Sequence, residues 1–437
     1  MGITLALQIL GTGVNSAAWR LPDSHAERLY DLDLFTDIAQ RAEAAKIHTL
    51  FMSDGLTSNA QSPGGGFEPI SFLTALAART RHIGIVPTIS TTWTEPFNLA
   101  RQLASIDHLT GGRAGWNVVT SAWGEENFGR SPVPHAQRYA RARDYLDAAI
   151  ALWESWDADA RITDREAGTR IRRGSVRQTD VATEHFTIRG PLNIDRSPQT
   201  RPFLFQAGSS ADGFALGARY ADAIFAAHPD PDEGLDFYRR FKDHVSDAGR
   251  DPDAVKVLPG MYAIIGESSE QARDVAGRLA ELEATTDFAA QVRNFAKAGF
   301  GEADLSGLDP DSLIPADRIP DPETVQGRRS RFELYRAKAL RGDRTLRDLV
   351  LEFNATGSGH WAPVGSATEI ADEIEARVEA GSADGFVMSP QHFQGYRLLT
   401  DRLVPELARR GLFQTEYAGT TLRENVLGRP ARHVTTP

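Results

Sequence analysis

Polar residues able to hold a ligand collect at the ends of four apolar runs. Asp54 closes the run 49–52 as Ser-Asp-Gly, and residues 88–92 carry four hydroxyls among five. Asn117 sits inside GWNVVTS, and Ser209 and Ser210 follow the apolar run 203–206 in QAGSSADG. Any one of these reads equally well as a helix cap or a turn. Four in succession at strand ends would line one mouth and face one ligand. Ser209 stands three residues before Asp212, ahead of an apolar run, which is the spacing of a capping box. Free N–H groups at such a helix start bind phosphate, and Gly208 would let the ligand approach the backbone. His135 and Tyr139 are four apart and share a helix face, so an imidazole and a phenol could meet the same phosphate. The alternative is a packing tyrosine beside a surface histidine.

The rest of the inventory is mostly negative. The 11 histidines show no HExxH or HxH spacing, and there is no cysteine, so a metal site, a disulfide and a thiolate nucleophile are not expected. A GxSxG elbow and a Walker A loop are missing, and Gly11-Thr12-Gly13 lacks the third glycine of a dinucleotide fingerprint. No residue stands out as an obligate nucleophile. His25, His360 and His392 are acid/base candidates, each with a packing or surface role as the alternative, and Trp19, Trp93, Trp123 and Phe128 could wall a pocket.

These residues need a scaffold with many strand ends at one face. Apolar runs at 3–10, 49–52, 83–89, 116–119, 203–206, 223–226, 257–265 and 385–388 alternate with amphipathic helical spacing such as Leu34, Phe35, Ile38 and Ala42. Thr94 is the expected N-cap of the helix that begins at Pro96. Eight strand–helix repeats predict an α/β fold, a (β/α)8 TIM barrel with its site at the carboxyl ends of the strands; an open doubly wound sheet is the alternative. The expected organisation is one domain over 1–437 with insertions at about 123–200 and 285–359. The first contains RITDREAGTRIRRGSVRQTD, read as a solvated loop or hairpin. The second contains LSGLDPDSLIPADRIPDPE, whose prolines and acids predict an irregular, mobile excursion of the kind that forms lids.

A formal net charge of −11 with no basic tract disfavours nucleic acid. No apolar run approaches the roughly 18 residues of a membrane span. The N-terminus has no basic n-region ahead of its short apolar run, so it is read as a strand, and the expected location is the cytoplasm.

Several stretches resemble one family: LFMSDG, PTISTTWTEPFNLARQLASIDHLTGGRAGWNVVTS, ENFG, HAQRY, EHFTIRGPLNI and RPFLFQAGSSADG. Together they look like the bacterial-luciferase-like flavin monooxygenases, in the branch that contains nitrilotriacetate, EDTA and dibenzothiophene-sulfone monooxygenases. The resemblance implies a barrel holding FMN as FMNH2, O2 as co-substrate, and a separate NAD(P)H:flavin reductase. It implies oxygenation of a small organic substrate through a C4a-(hydro)peroxyflavin, and a homodimer or homotetramer. Carried over by motif, Asp54, Ser90, Thr91 and Asn117 would line the flavin ring and ribityl chain. His135, Tyr139, Ser209 and Ser210 would hold the ribityl or phosphate end. A deazaflavin-dependent reductase or dehydrogenase of the same fold is the alternative function, and a barrel that only binds is a third. The segment after Thr285 matches no family motif.

Overall fold

The computed structural model describes residues 2–58, 66–208 and 210–428. Eight parallel strands close into a barrel: β1 (Thr4–Gln8), β2 (Thr49–Met52), β3 (Gly84–Ser90), β4 (Gly115–Val119), β5 (Phe203–Gln206), β6 (Ala223–Ala226), β7 (Lys256–Met261) and β8 (Gly385–Met388). Each pairs with its neighbour in sequence, and β8 pairs with β1 through Thr4 opposite Gly385. The open-sheet alternative is therefore excluded. The strand expected over 257–265 stops at Met261; Ile264–Gly266 leaves the barrel and pairs instead with Val364–Ser366.

The apolar runs work because both faces of each strand are covered. Outward residues such as Leu5, Leu50, Ile85, Trp116 and Leu204 pack in one cluster with the helix layer. Inward residues, among them Ala6, Phe51, Val86, Phe203, Phe205 and Leu258, fill the barrel itself. Period-two alternation then sends Gln8, Ser53, Thr88, Asn117 and Ser389 to the inner face at or just beyond the carboxyl ends of their strands.

The opposite end of the barrel is sealed by the C-terminal helix Leu422–Leu427, whose Leu422 and Val426 join the inward cluster. Gly84 is required there, since a Cβ would stand 2.6 Å from Leu422 Cδ1. Arg423 anchors the seal with a two-point ion pair to buried Asp222, at 2.6 and 2.8 Å. With that end closed, a ligand reaches the barrel from the carboxyl-terminal mouth.

The helix that follows β4 runs His135–Trp153, and the Arg-rich stretch after it contains an exposed antiparallel hairpin, Arg161–Asp164 with Thr169–Ile171. Its arginines pair with Asp195, Asp159 and Asp157, as expected of a solvated hairpin. The segment 285–359 departs from expectation. It contains the helices Phe288–Gly299, Arg329–Arg341 and Leu346–Ala355, packed around Phe295, Phe300, Tyr335, Leu349 and Phe353. Only its Pro/Asp stretch is irregular, with short 3-10 turns at Ala316–Arg318 and Pro322–Thr324. Pro and Asp mark where helices stop; they did not reveal the aromatic core on either side.

Candidate active site

The mouth has two polar sides. On one, Asn117 donates its side-chain N–H to Thr88 Oγ1 at 2.9 Å, and its Oδ1 is buried with no partner among the described residues. Ser90 Oγ accepts from the Thr92 backbone N–H at 3.2 Å, so its own proton is free to donate outward. Thr91 is fully buried, and its hydroxyl donates to the Val119 carbonyl at 3.2 Å. It holds β3 to β4 instead of facing the mouth. Thr94, the expected cap, donates to the Ser90 carbonyl, and Glu95 occupies the N-cap position without a side-chain bond.

Asp54 follows β2 and is exposed, yet the protein around it partly desolvates the carboxyl and, with a smaller push from Glu68, raises its pKa. Across from Asn117, Ser389 donates to Gln8 Oε1 at 2.6 Å, and Gln8 Nε2 donates to Ser53 Oγ at 3.1 Å. This chain crosses from β8 through β1 to β2. Gln8 and Ser389 were not anticipated, although Gln8 is a lone amide at the end of an apolar strand, and that signal was readable.

The second side is the loop after β5. The helix Ala211–Tyr220 is capped by Ser210, whose Oγ accepts from the Gly213 N–H at 3.1 Å, one residue later than the expected cap. Ser209 lies outside the described residues. His135 and Tyr139 come to this helix start with ring centroids 4.8 Å apart, and His135 Nδ1 lies 3.3 Å from Asp212 Oδ2. Burial, then the charges of Arg138 and Arg329, lower the His135 pKa, so the imidazole is mainly neutral at pH 7. Among the described residues nothing hydrogen-bonds the buried Tyr139 phenol. Gly208 faces it: a Cβ there would lie 3.2 Å from the hydroxyl and 2.5 Å from Gln206 Nε2. A phenol with no hydrogen-bond partner among the described residues, a capped helix start with unused N–H groups and a bare backbone together make a cradle that fits a phosphate.

The segment 285–359 lies over this mouth. Gln326 Oε1 accepts from the His135 N–H at 3.1 Å, its carbonyl accepts from Arg138 at 2.7 Å, and Glu302 accepts from Trp123 Nε1 at 3.1 Å. His360 enters the space above Gly260, stacked between Tyr262 at 4.4 Å and Phe225 at 5.2 Å. Of the other candidates, Trp93 is buried and stacks on Phe128 at 5.6 Å, whereas Trp19 is exposed. His25 packs edge-on against Phe393, and His392 is buried with its pKa lowered by that burial. Among the described residues no cluster of His, Cys, Asp and Glu could hold a metal ion, and no helix is long and apolar enough to cross a membrane.

A family model described as luciferase-like monooxygenase matches residues 13–384. The chain belongs to that family. It is 37% identical over 430 residues to N-acetyl-S-(2-succino)cysteine monooxygenase of Bacillus subtilis (strain 168), covering 97% of this chain and 96% of that one. It is 36% identical over 446 residues to nitrilotriacetate monooxygenase component A of Aminobacter aminovorans, covering 98% and 96%. Among solved structures, a riboflavin lyase with modified FMN and riboflavin superposes with a TM-score of 0.86 at 27% identity, covering 99% of this chain and 97% of that one. The expected fold and the expected class, a flavin-dependent monooxygenase, agree with these relatives.

Proposed function

We propose that this luciferase-like monooxygenase is the oxygenase half of a two-component system. It takes FMNH2 from a separate NAD(P)H:flavin reductase and places one atom of O2 into a small organic substrate. The observation that carries this reading is the phosphate cradle of Gly208, Ser210, His135 and Tyr139 at a barrel mouth whose other end is plugged. The likeness to a relative named as a component A supports a separate reductase. We read the chain as one barrel domain over 1–437 with insertions near 123–200 and 285–359.

In this reading Tyr139, Ser210 and Ser209 hold the phosphate, and neutral His135 contributes a hydrogen bond there. Asn117 Oδ1 accepts from a ring N–H, and Ser90 donates to the ring or ribityl chain. Asp54 lines the entrance. Thr91 acts through the backbone, fixing the β3–β4 seam. Bound FMNH2 supplies the electrons that activate O2. The protein's share is orientation and dryness: the Trp93–Phe128 stack and the helices over the mouth keep bulk water away from the reacting atoms.

Anaerobic titration with both flavin redox forms, followed by turnover with a reductase under isotopically labelled O2, tests the proposal. Tighter binding of reduced FMN and label in an organic product are expected. Stronger binding of oxidised FMN, or activity that needs no O2, would count against it.

A further inference from the structure

The cover of the mouth carries two cations that the flavin reading does not use. Arg331 donates to His360 Nε2 at 3.0 Å, and Arg328 lies 5.8 Å from the Trp123 ring centroid. Among the described residues neither arginine has a carboxylate at ion-pair distance, unlike Arg161, Arg219 and Arg347. Arg328 is exposed, and the protein packed around it lowers its pKa by partial desolvation. Desolvation and then the neighbouring Arg328 charge bring Arg331 down to about 10.

The surroundings point the same way. Tyr262 lies close enough to both guanidiniums to feel their charge, and its own ring stacks on His360. His228 and His360 are kept neutral by burial and then by Arg331, so protonated histidine adds no further positive charge at neutral pH. Two guanidiniums close enough for one to act on the other, in a chain of net charge −11, form a local positive field over the carboxyl-terminal mouth.

We infer that Arg328 and Arg331 form a subsite for the substrate, and that the substrate is a small aliphatic polycarboxylate. This rests on the monooxygenase reading for the word substrate, not for the binding itself. A planar guanidinium takes a carboxylate through two parallel N–H bonds, and two guanidiniums match a dianion. The flavin phosphate is the other oxyanion that could come here. It has its own cradle after β5, and Arg329, not Arg328 or Arg331, is the arginine of this run whose charge acts on His135 there. Arg328 and Arg331 instead face Tyr262 and His360 at the β7 end.

Isothermal titration of the full chain with tricarballylate and with its trimethyl ester tests this. The acid is expected to bind saturably and the ester not at all. Arg331→Gln and Arg328→Gln should each weaken the acid by about 10- to 100-fold, the scale of a hydrogen bond to a charged group, and leave FMN affinity within about twofold. Equal binding of acid and ester, or no binding of the acid, overturns the proposal. So does a loss of FMN affinity with riboflavin affinity kept, which would make the pair a phosphate clamp. If Arg331→Gln does not fold, the wild-type comparison of acid with ester and the solvent-reached Arg328 variant still decide. Because the readout is equilibrium binding, a failed oxygenation assay would overturn the functional reading and leave this one standing.

Discussion

Asn117 on β4 and Thr88 on β3 are joined by a 2.9 Å bond from the asparagine N–H to the threonine Oγ1, which turns the buried Asn117 Oδ1 away with no partner among the described residues. The bond fixes the amide's orientation, so the spare acceptor is aimed before any ligand arrives. Asn117→Leu removes an acceptor that costs the empty protein about 1–3 kcal/mol and a bond worth about 1 kcal/mol. The two losses nearly cancel in stability but not in binding. Urea unfolding should change by no more than about 1 kcal/mol, while FMN affinity falls by roughly tenfold or more. Parallel losses in both measurements would make Asn117 a packing residue.

The cradle after β5 makes a second prediction. Tyr139→Phe removes one bond to a charged phosphate, worth about 1.5–3 kcal/mol, and should weaken FMN but spare riboflavin. Gly208→Ala should do the same by steric means, because its Cβ would stand 3.0 Å from Gly213 Cα and 3.2 Å from the Tyr139 hydroxyl. Fluorescence titration with both flavins distinguishes the outcomes. Equal losses for FMN and riboflavin would remove the phosphate from this loop.

Much of this site was legible before the structure because barrel chemistry follows strand order. Asn117, Ser90 and the Gly208–Ser210 loop each lie at a strand's carboxyl end, and closing the sheet brings those ends to one mouth. His135 and Tyr139 were paired correctly because four residues on a helix is a short-range rule. Thr91 was placed correctly in the chain but its side chain was not, since strand-end geometry turns its hydroxyl onto Val119. Arg328, Arg331 and Ser389 were missed for another reason. They reach the mouth through contacts to His360, Tyr262 and Gln8, and no local periodicity encodes those.

Buried histidine sets the acid limb of stability. His48 Nδ1 accepts from the Leu5 N–H at 3.2 Å, and burial lowers its pKa to about 4. An unfolded histidine titrates near about 6.5. Between those values the unfolded chain binds a proton that the native chain refuses, so stability is full above the unfolded pKa and falls as pH drops toward about 4. His228, also lowered by burial to about 4, adds a slope of the same sign. Each contributes up to about 1.4 kcal/mol per pH unit in that window. His48→Asn should flatten the slope between about pH 6.5 and 4 even if it lowers stability at pH 7. Denaturant midpoints at several pH values measure this, and an unchanged slope would mean that folding does not shift the titration of His48.

The cover over the mouth is held by a small seam. Trp123 Nε1 donates to Glu302, the Trp123 ring faces Lys297 at 5.7 Å, and Gln326 bonds His135 and Arg138. Behind the seam, Phe295, Phe300, Tyr335 and Phe353 pack with one another. The helices therefore have a core of their own, and the polar contacts of the seam, worth about 0.5–1.5 kcal/mol each, add to the packing of Gly327 on Trp123 and of Gly357 on Tyr262. Glu302→Ala and Gln326→Ala should each raise the open population several-fold without melting the helices, and cleavage between Gly301 and Arg331 should speed up in proportion. FMNH2 under anaerobic conditions should slow it again, because the proposed cradle and the Gln326 contact share His135. Phe295→Ala is the contrasting variant: it opens a cavity in the core of the cover, so cleavage should spread through its helices and circular dichroism should fall. If the seam variants leave the cleavage rate unchanged, the cover is fixed by packing against the barrel. Entry of a diffusing flavin would then need a different opening.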